Sequence, residues 1–218
     1  MVWAANGVCL YAKDPGCGQM SERRVMTAPI ELRTDRLRLR QWLTSDREAF
    51  ARLNADARVM EYLPAVLSRE ESDALAVRIE THIDQHGWGL WAVEIPSVTS
   101  FAGYIGLSTP RFDAHFTPCT EIGWRLASDF WGSGYATEGA LAVLAFGFRT
   151  LRLDEIVSFT VPGNLPSRRV MERIGMAYNP SDDFEHPTLP EGHRLRRHVL
   201  YRITTRPEKR ARPAAVDA

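Results

Sequence analysis

The chain has 218 residues, 44% of them hydrophobic and 25% charged, with 27 Lys+Arg balancing 27 Asp+Glu. Such a length and mixture fit an ordinary globular protein of one large domain or two small ones, with enough apolar material for a core. A formal net charge of zero argues against a dedicated nucleic-acid binder, and the longest apolar run, Ala140 to Phe148, falls well short of the ~20 residues of a membrane span.

In chain order, residues 1–28 hold scattered glycines, Cys9, Cys17 and no sustained period of 2 or 3.6. They read as a disordered extension, and Lys13 with Asp14 interrupts any signal peptide. With Cys119 the cysteine count is odd, so no disulfide framework is expected and a reducing cytoplasm is the default. Residues 206–218, with Pro207 and Pro213, read as a flexible tail. Residues 29–205 remain as a single domain. The only lysines, Lys13 and Lys209, lie in the two ends, so the basic residues of the body are all arginine.

Leu37 and Leu39 alternating with Arg36, Arg38 and Arg40 predict a strand with one buried face. Thr44 and Ser45 precede a short helix over Asp46 to Asn54. Ser68-Arg-Glu-Glu is a capping box that opens a helix carrying Leu75, Ile79 and Ile83 and stopping at Gly87. Trp88 to Ile95 and Phe101 to Ser108 read as a hairpin, followed by a strand over Thr120 to Ala127. A helix over Gly134 to Thr150 is expected to bury Leu141, Leu144, Ala145 and Phe148. A strand over Glu155 to Val161, a helix over Asn164 to Ile174 and a last strand over His198 to Ile203 complete the pattern. The order predicts a mixed sheet with helices on both faces, in the α/β or α+β class.

The informative segment is Trp131-Gly132-Ser133-Gly134-Tyr135-Ala136-Thr137-Glu138, where a strand turns through glycines directly into a helix. Glycines allow the tight turn, and the free N–H groups and positive dipole end of the helix make a phosphate cradle that needs no lysine. It is neither a Walker loop nor a Rossmann fingerprint. By itself it could equally be a structural turn. Thirty residues after Gly134, a second strand leads into Asn164-Leu-Pro-Ser167-Arg168 and a helix ending Ile-Gly-Met.

These two segments resemble the GCN5-related N-acetyltransferase (GNAT) superfamily, in its RimJ/RimL-like ribosomal-protein N-terminal acetyltransferase form. The opening Leu-Arg-Thr-Asp-Arg-Leu-Arg-Leu-Arg is similar too. The resemblance implies a GNAT fold, with a central, mostly antiparallel sheet of about seven strands splayed at its centre. It implies acetyl-CoA as co-substrate and no metal. Backbone amides of Gly132, Gly134 and Ala136, with Ser133 and Thr137 and the flanking Trp131 and Tyr135, would hold the pyrophosphate. Trp124, Arg125 and Leu126 would pair their backbone with the pantetheine arm. Asn164, Ser167 and Arg168 would border it, Ser167 near the sulfur.

Transfer to an amine needs a neutral nucleophile, although α-amines titrate near ~8 and lysine near ~10.4. Glu121 stands where the superfamily often carries its general base, the alternative being a solvated strand residue. Many relatives place a proton-donating Tyr where this chain has Met171, which makes Ser167 the candidate partner of the leaving thiolate. His186 and His193 read first as exposed loop residues and second as substrate-lining. Trp88, Trp91 and Trp124 read as core, and Cys119 as no nucleophile. The expected acceptor is a protein N-terminal α-amine. A small-molecule amine, or a non-catalytic acyl-CoA-binding module, remains the alternative, and a homodimer stays open.

Overall fold

The computed structural model describes residues 30–205. The expected extension and tail, with Cys9 and Cys17, lie outside the described residues. Among the described residues there are nine strands: β1 (Leu32–Arg33), β2 (Arg38–Arg40), β3 (Leu90–Ile95), β4 (Thr99–Ser108), β5 (Glu121–Leu126), β6 (Glu155–Thr160), β7 (Ala177–Tyr178), β8 (Phe184–Glu185) and β9 (Arg197–Thr204). The sheet order is β1-β2-β3-β4-β5-β6-β9-β7, with β8 on β9. Six of these are three residues or longer, close to the expected seven or so, and β1, β7 and β8 are two-residue strands.

Period-2 alternation assigns the two faces. Trp91, Val93, Ile105, Leu107, Ile122 and Leu126 form one core with helices α3 (Tyr135–Arg149) and α4 (Leu165–Arg173). Leu90, Ala92 and Tyr104 face the other way, onto α1 (Asp46–Ala55) and α2 (Arg69–His86), where they meet Phe50, Leu53, Leu75 and Ile79. Each large apolar side chain buried this way stabilises by roughly 1.5–3 kcal/mol.

The capping box forms in full: Glu71 N donates to Ser68 Oγ at 3.2 Å and Ser68 N to Glu71 Oε2 at 2.8 Å. Gly87 closes α2 at φ 76°. Ser45, by contrast, caps nothing with its side chain. Asp46 takes that turn, accepting from Leu43 N at 2.8 Å. It also receives a fork from Arg40 at 2.8 and 2.9 Å. Arg40 is therefore buried, 3% exposed, and not on a wet face as the alternation suggests.

The expected face of α3 is corrected at one position: Leu141 is exposed. The buried face runs through Gly139, Ala140, Val143, Leu144 and Gly147. Small residues win because the helix lies against the sheet. A Cβ on Gly139 would stand 2.5 Å from Ile105 Cδ1, a separation that real side chains do not tolerate.

Every pairing along the sheet is antiparallel except that of β5 with β6. Those two parallel strands register at Glu121 and Val157 and then part, whereas β5 pairs with β4 from end to end. The sheet is thus splayed at its centre.

Candidate active site

After β5 the chain makes a short 3-10 turn (Ser128–Phe130) and passes through Gly132 at φ 76° and Gly134 at φ 82°. Gly134 is the N-cap of α3, and no side chain bonds that helix end. Its first-turn amides at Tyr135, Ala136 and Thr137 therefore face the glycine turn without a side-chain acceptor. A Cβ at Gly132 would meet nothing within 4 Å, so the concavity is open. Residues 131–134 are exposed, Trp131 at 49%. An open helix N-terminus of this kind can hold an anionic group.

Arg36 braces the turn from outside, although sequence reasoning assigned it only to a strand. Its Nε donates to Glu138 Oε2 at 2.7 Å and its Nη1 to Ser133 O at 3.0 Å. The guanidinium carbon stands 4.7 Å from the centre of the Tyr135 ring. The signal was the Arg of Thr-Asp-Arg, but the 102 positions separating it from Glu138 hide the pairing from any local reading.

Ala127 N donates to Ala102 O, which fixes the parity of the β4–β5 ladder. By alternation Arg125, Gly123 and Glu121 turn their backbone groups to β4, whereas Trp124 and Leu126 turn theirs to the gap beside β6. Of the three residues expected to pair with pantetheine, Arg125 therefore has its backbone engaged elsewhere. The Leu126 carbonyl receives the Trp131 indole N–H at 2.8 Å.

Across the gap, Asn164 caps α4: its Oδ1 accepts from Ser167 N at 3.3 Å and its Nδ2 donates to Thr160 Oγ1 at 2.9 Å. Ser167 is half-buried. Arg168 is drawn off to Tyr201 Oη and Pro162 O, both at 3.1 Å, and packs against the Tyr178 ring. Met171, 2% exposed, belongs to the main core.

Glu121 is not a solvated strand residue. It is 0% exposed, Ser108 Oγ lies 3.5 Å from its Oε2, and its Oε1 has no hydrogen-bond partner. Burial pushes its carboxyl well above the ordinary range, with Ser108 pulling weakly the other way. Arg125 projects from the same face and is 5% exposed.

The exposed reading of His186 is also corrected. It is 3% exposed, set among Phe112, Phe184 and His198, and bonded to Thr188 Oγ1 at 2.6 Å. Burial lowers its pKa to about 4, so the ring is neutral near pH 7. His193 holds a turn by accepting from Leu195 N at 3.2 Å. Trp91 is fully buried, and Trp88 and Trp124 pack against the core. Burial, followed by the nearby Glu121 carboxyl, drives the Cys119 thiol up to about 12, which removes the thiolate a nucleophile needs.

Comparison with known proteins matches this geometry. The profile of the acetyltransferase (GNAT) domain matches residues 36–177. The uncharacterized protein YkkB of Bacillus subtilis is 32% identical over 155 residues, 71% of this chain and 89% of YkkB. The FsC-acetyl coenzyme A-N(2)-transacetylase of Aspergillus fumigatus is 29% identical, over 74% of this chain and 71% of that protein. Among solved structures, a GNAT-family acetyltransferase from Bacillus anthracis superposes with a TM-score of 0.66 at 27% identity, covering 80% of this chain and 98% of that one. Mycobacterium smegmatis RimJ in complex with CoA-disulfide shares the fold at a TM-score of 0.64 and 19% identity, over 81% and 88% of the two chains. With an uncapped glycine turn at α3, a splayed β5–β6 pair and this match over most of the described residues, the chain belongs to the GNAT acetyltransferase family and is an acetyl-CoA-dependent acyltransferase.

Proposed function

We propose that the protein transfers the acetyl group of acetyl-CoA to a primary amine, with a protein N-terminal α-amine as the first acceptor class. One observation carries the reading: the open, uncapped N-terminus of α3 lies one turn beyond a strand whose outer backbone groups face a gap. Residues 132–137 would hold the pyrophosphate through backbone amides, with Arg36, paired to Glu138, fixing the turn through the Ser133 carbonyl. The backbone of Trp124 and Leu126 would pair with the pantetheine amides, the Trp131 indole giving up the Leu126 carbonyl. Asn164 and Ser167 would border the arm from the other side.

Acetyl-CoA supplies the acyl group as an activated thioester. Glu121 would take the proton of the attacking amine. Its raised pKa brings its proton affinity closer to that of the amine, which is the condition for an efficient base. Ser167 Oγ would hydrogen-bond the departing sulfur. The N-terminal acceptor rests on the resemblance of the Trp-Gly-x-Gly-Tyr-Ala-Thr-Glu and Asn-x-x-Ser segments to the RimJ/RimL-like form, since these segments themselves address acetyl-CoA.

A second reading, a small-molecule amine, is favoured by a covering segment beside the end of β6. Arg194 Nη2 donates to Glu61 O at 3.2 Å, and Tyr62 packs with Val161, Leu189 and Leu195. The name of the Aspergillus relative, an N(2)-transacetylase, points the same way. Thiol release from acetyl-CoA with N-terminal peptides and small amines tests both. Turnover with peptides alone supports the first reading, and turnover with small amines alone supports the second. Tight acetyl-CoA binding with no turnover on any amine would make the chain a binding module.

A further inference from the structure

Arg125 is a cation buried without a counter-charge. Its Nη1 donates to Asn54 Oδ1, and its guanidinium carbon stands 5.4 Å from the centre of the Tyr104 ring. Its Nε and Nη2 are buried and have no acceptor, and among the described residues no carboxylate pairs with it. Burying a charge unpaired is costly, and proteins retain such a group only where something completes it. Asn54 in turn donates to Ser72 Oγ at 2.9 Å, so α1 and α2 hold the guanidinium from above.

Tyr104 flanks it on the β4 side. On its other side β5 and β6 part beyond Glu121. Arg125 shares its face of β5 with Glu121, roughly 14 Å away along the strand at about 3.4 Å per residue. Between them on that face lies Gly123, which pairs with Gly106 of β4, so neither of these two strands places a side chain in the interval. The α3 cradle lies on the opposite face of the sheet, and it would take the phosphates of acetyl-CoA. An anion on the Arg125 face would therefore have to come from the other substrate.

We infer that the acceptor is an amine carrying a carboxylate, and that Arg125 is the subsite that pairs with that carboxylate while the amine lies toward Glu121. This rests on the transferase reading above and narrows its acceptor class. A planar guanidinium with two adjacent free N–H groups suits a carboxylate in particular.

The test uses the full-length protein and amines matched except for the carboxylate: β-alanine against propylamine, 5-aminopentanoate against pentylamine, and a Ser-Glu dipeptide amide against Ser-Gln amide. Thiol release gives kcat/KM for each pair, and calorimetry on the CoA-loaded protein gives affinity. The carboxylate member should be preferred by on the order of 10²-fold in the best pair. Arg125→Gln should collapse that ratio toward one, and Arg125→Lys should keep part of it, with acetyl-CoA affinity and melting temperature as controls. Equal kcat/KM and equal affinity within every pair of the wild type would overturn the inference, and that arm stands even if the variants fail to fold. A preference that survives Arg125→Gln in a folded protein would overturn it as well. Selective binding of the carboxylate amines without thiol release would keep the subsite and reject the transferase reading.

Discussion

Glu121 and Arg125 stand on one face of β5 with glycine between them, a buried carboxyl and a buried guanidinium that form no bond to each other. Both groups are desolvated, and each keeps a polar atom without a partner. In a protein of marginal stability such a cost calls for a compensating role, which the proposed base and carboxylate subsite would supply.

Glu121→Gln separates base chemistry from stability. As a base, its loss should lower the rate by roughly 10²–10⁴-fold at neutral pH. Partial recovery is expected at high pH, where more amine is already neutral. Ser167→Ala should instead lose rate about equally at every pH. Stability should move the opposite way. The folded carboxyl titrates above its ordinary value of 4.5. Its contribution is therefore fully present below the unfolded pKa and is lost as pH rises through the folded pKa. Glu121→Gln has no such loss, so its melting temperature should exceed that of the wild type increasingly from weakly acid toward neutral pH. A melting-temperature difference constant from pH 4 to 8 would contradict the burial argument.

Gly134→Asp should abolish acetyl-CoA binding. The site has φ 82°, where a side chain costs roughly 1 kcal/mol, and the carboxylate would repel a phosphate at the helix end. Calorimetry should show an affinity loss above about 100-fold with an unchanged circular dichroism spectrum. Undiminished affinity would remove this turn from the cofactor site.

The Arg40–Asp46 fork joins β2 to the start of α1 with side chains 4% and 1% exposed. Asp46→Ala leaves Arg40 buried with only Glu94 as a charged partner, so urea denaturation should report a loss of about 3 kcal/mol. The double replacement Arg40→Met with Asp46→Leu should lose less than the sum of the single changes. Simple additivity would show that the pair is not coupled.

Gly139→Val tests the close approach of α3. Relieving a mid-helix glycine gains at most about 1 kcal/mol, while overpacking costs about 1–3 kcal/mol. The contact with Ile105 Cδ1 at 2.5 Å makes overpacking dominate, so a net loss of stability is expected. Leu141→Ala, on the exposed side, should change stability by less than about 0.5 kcal/mol. Equal effects at the two positions would restore the leucine-lined face to the core.

What could be read along the chain is what local chemistry decides. The capping box at Ser68, the stop at Gly87, the strand alternation and the glycine turn before Tyr135 each depend on residues within a few positions of one another. The family signatures have the same local character. Contacts between residues far apart in sequence were decided only by the fold. The choice of Gly139 over Leu141 depends on how close a helix lies to its sheet, the clamp of Arg36 on Ser133 and Glu138 spans about a hundred residues, and the burial of His186 needs Phe112 and His198 around it. Arg125 shows the division most plainly. Its sequence neighbours place it on a strand beside a cofactor loop, and only the pairing with β4 and the packing of α1 enclose its charge, because burial and partnership belong to the assembled structure.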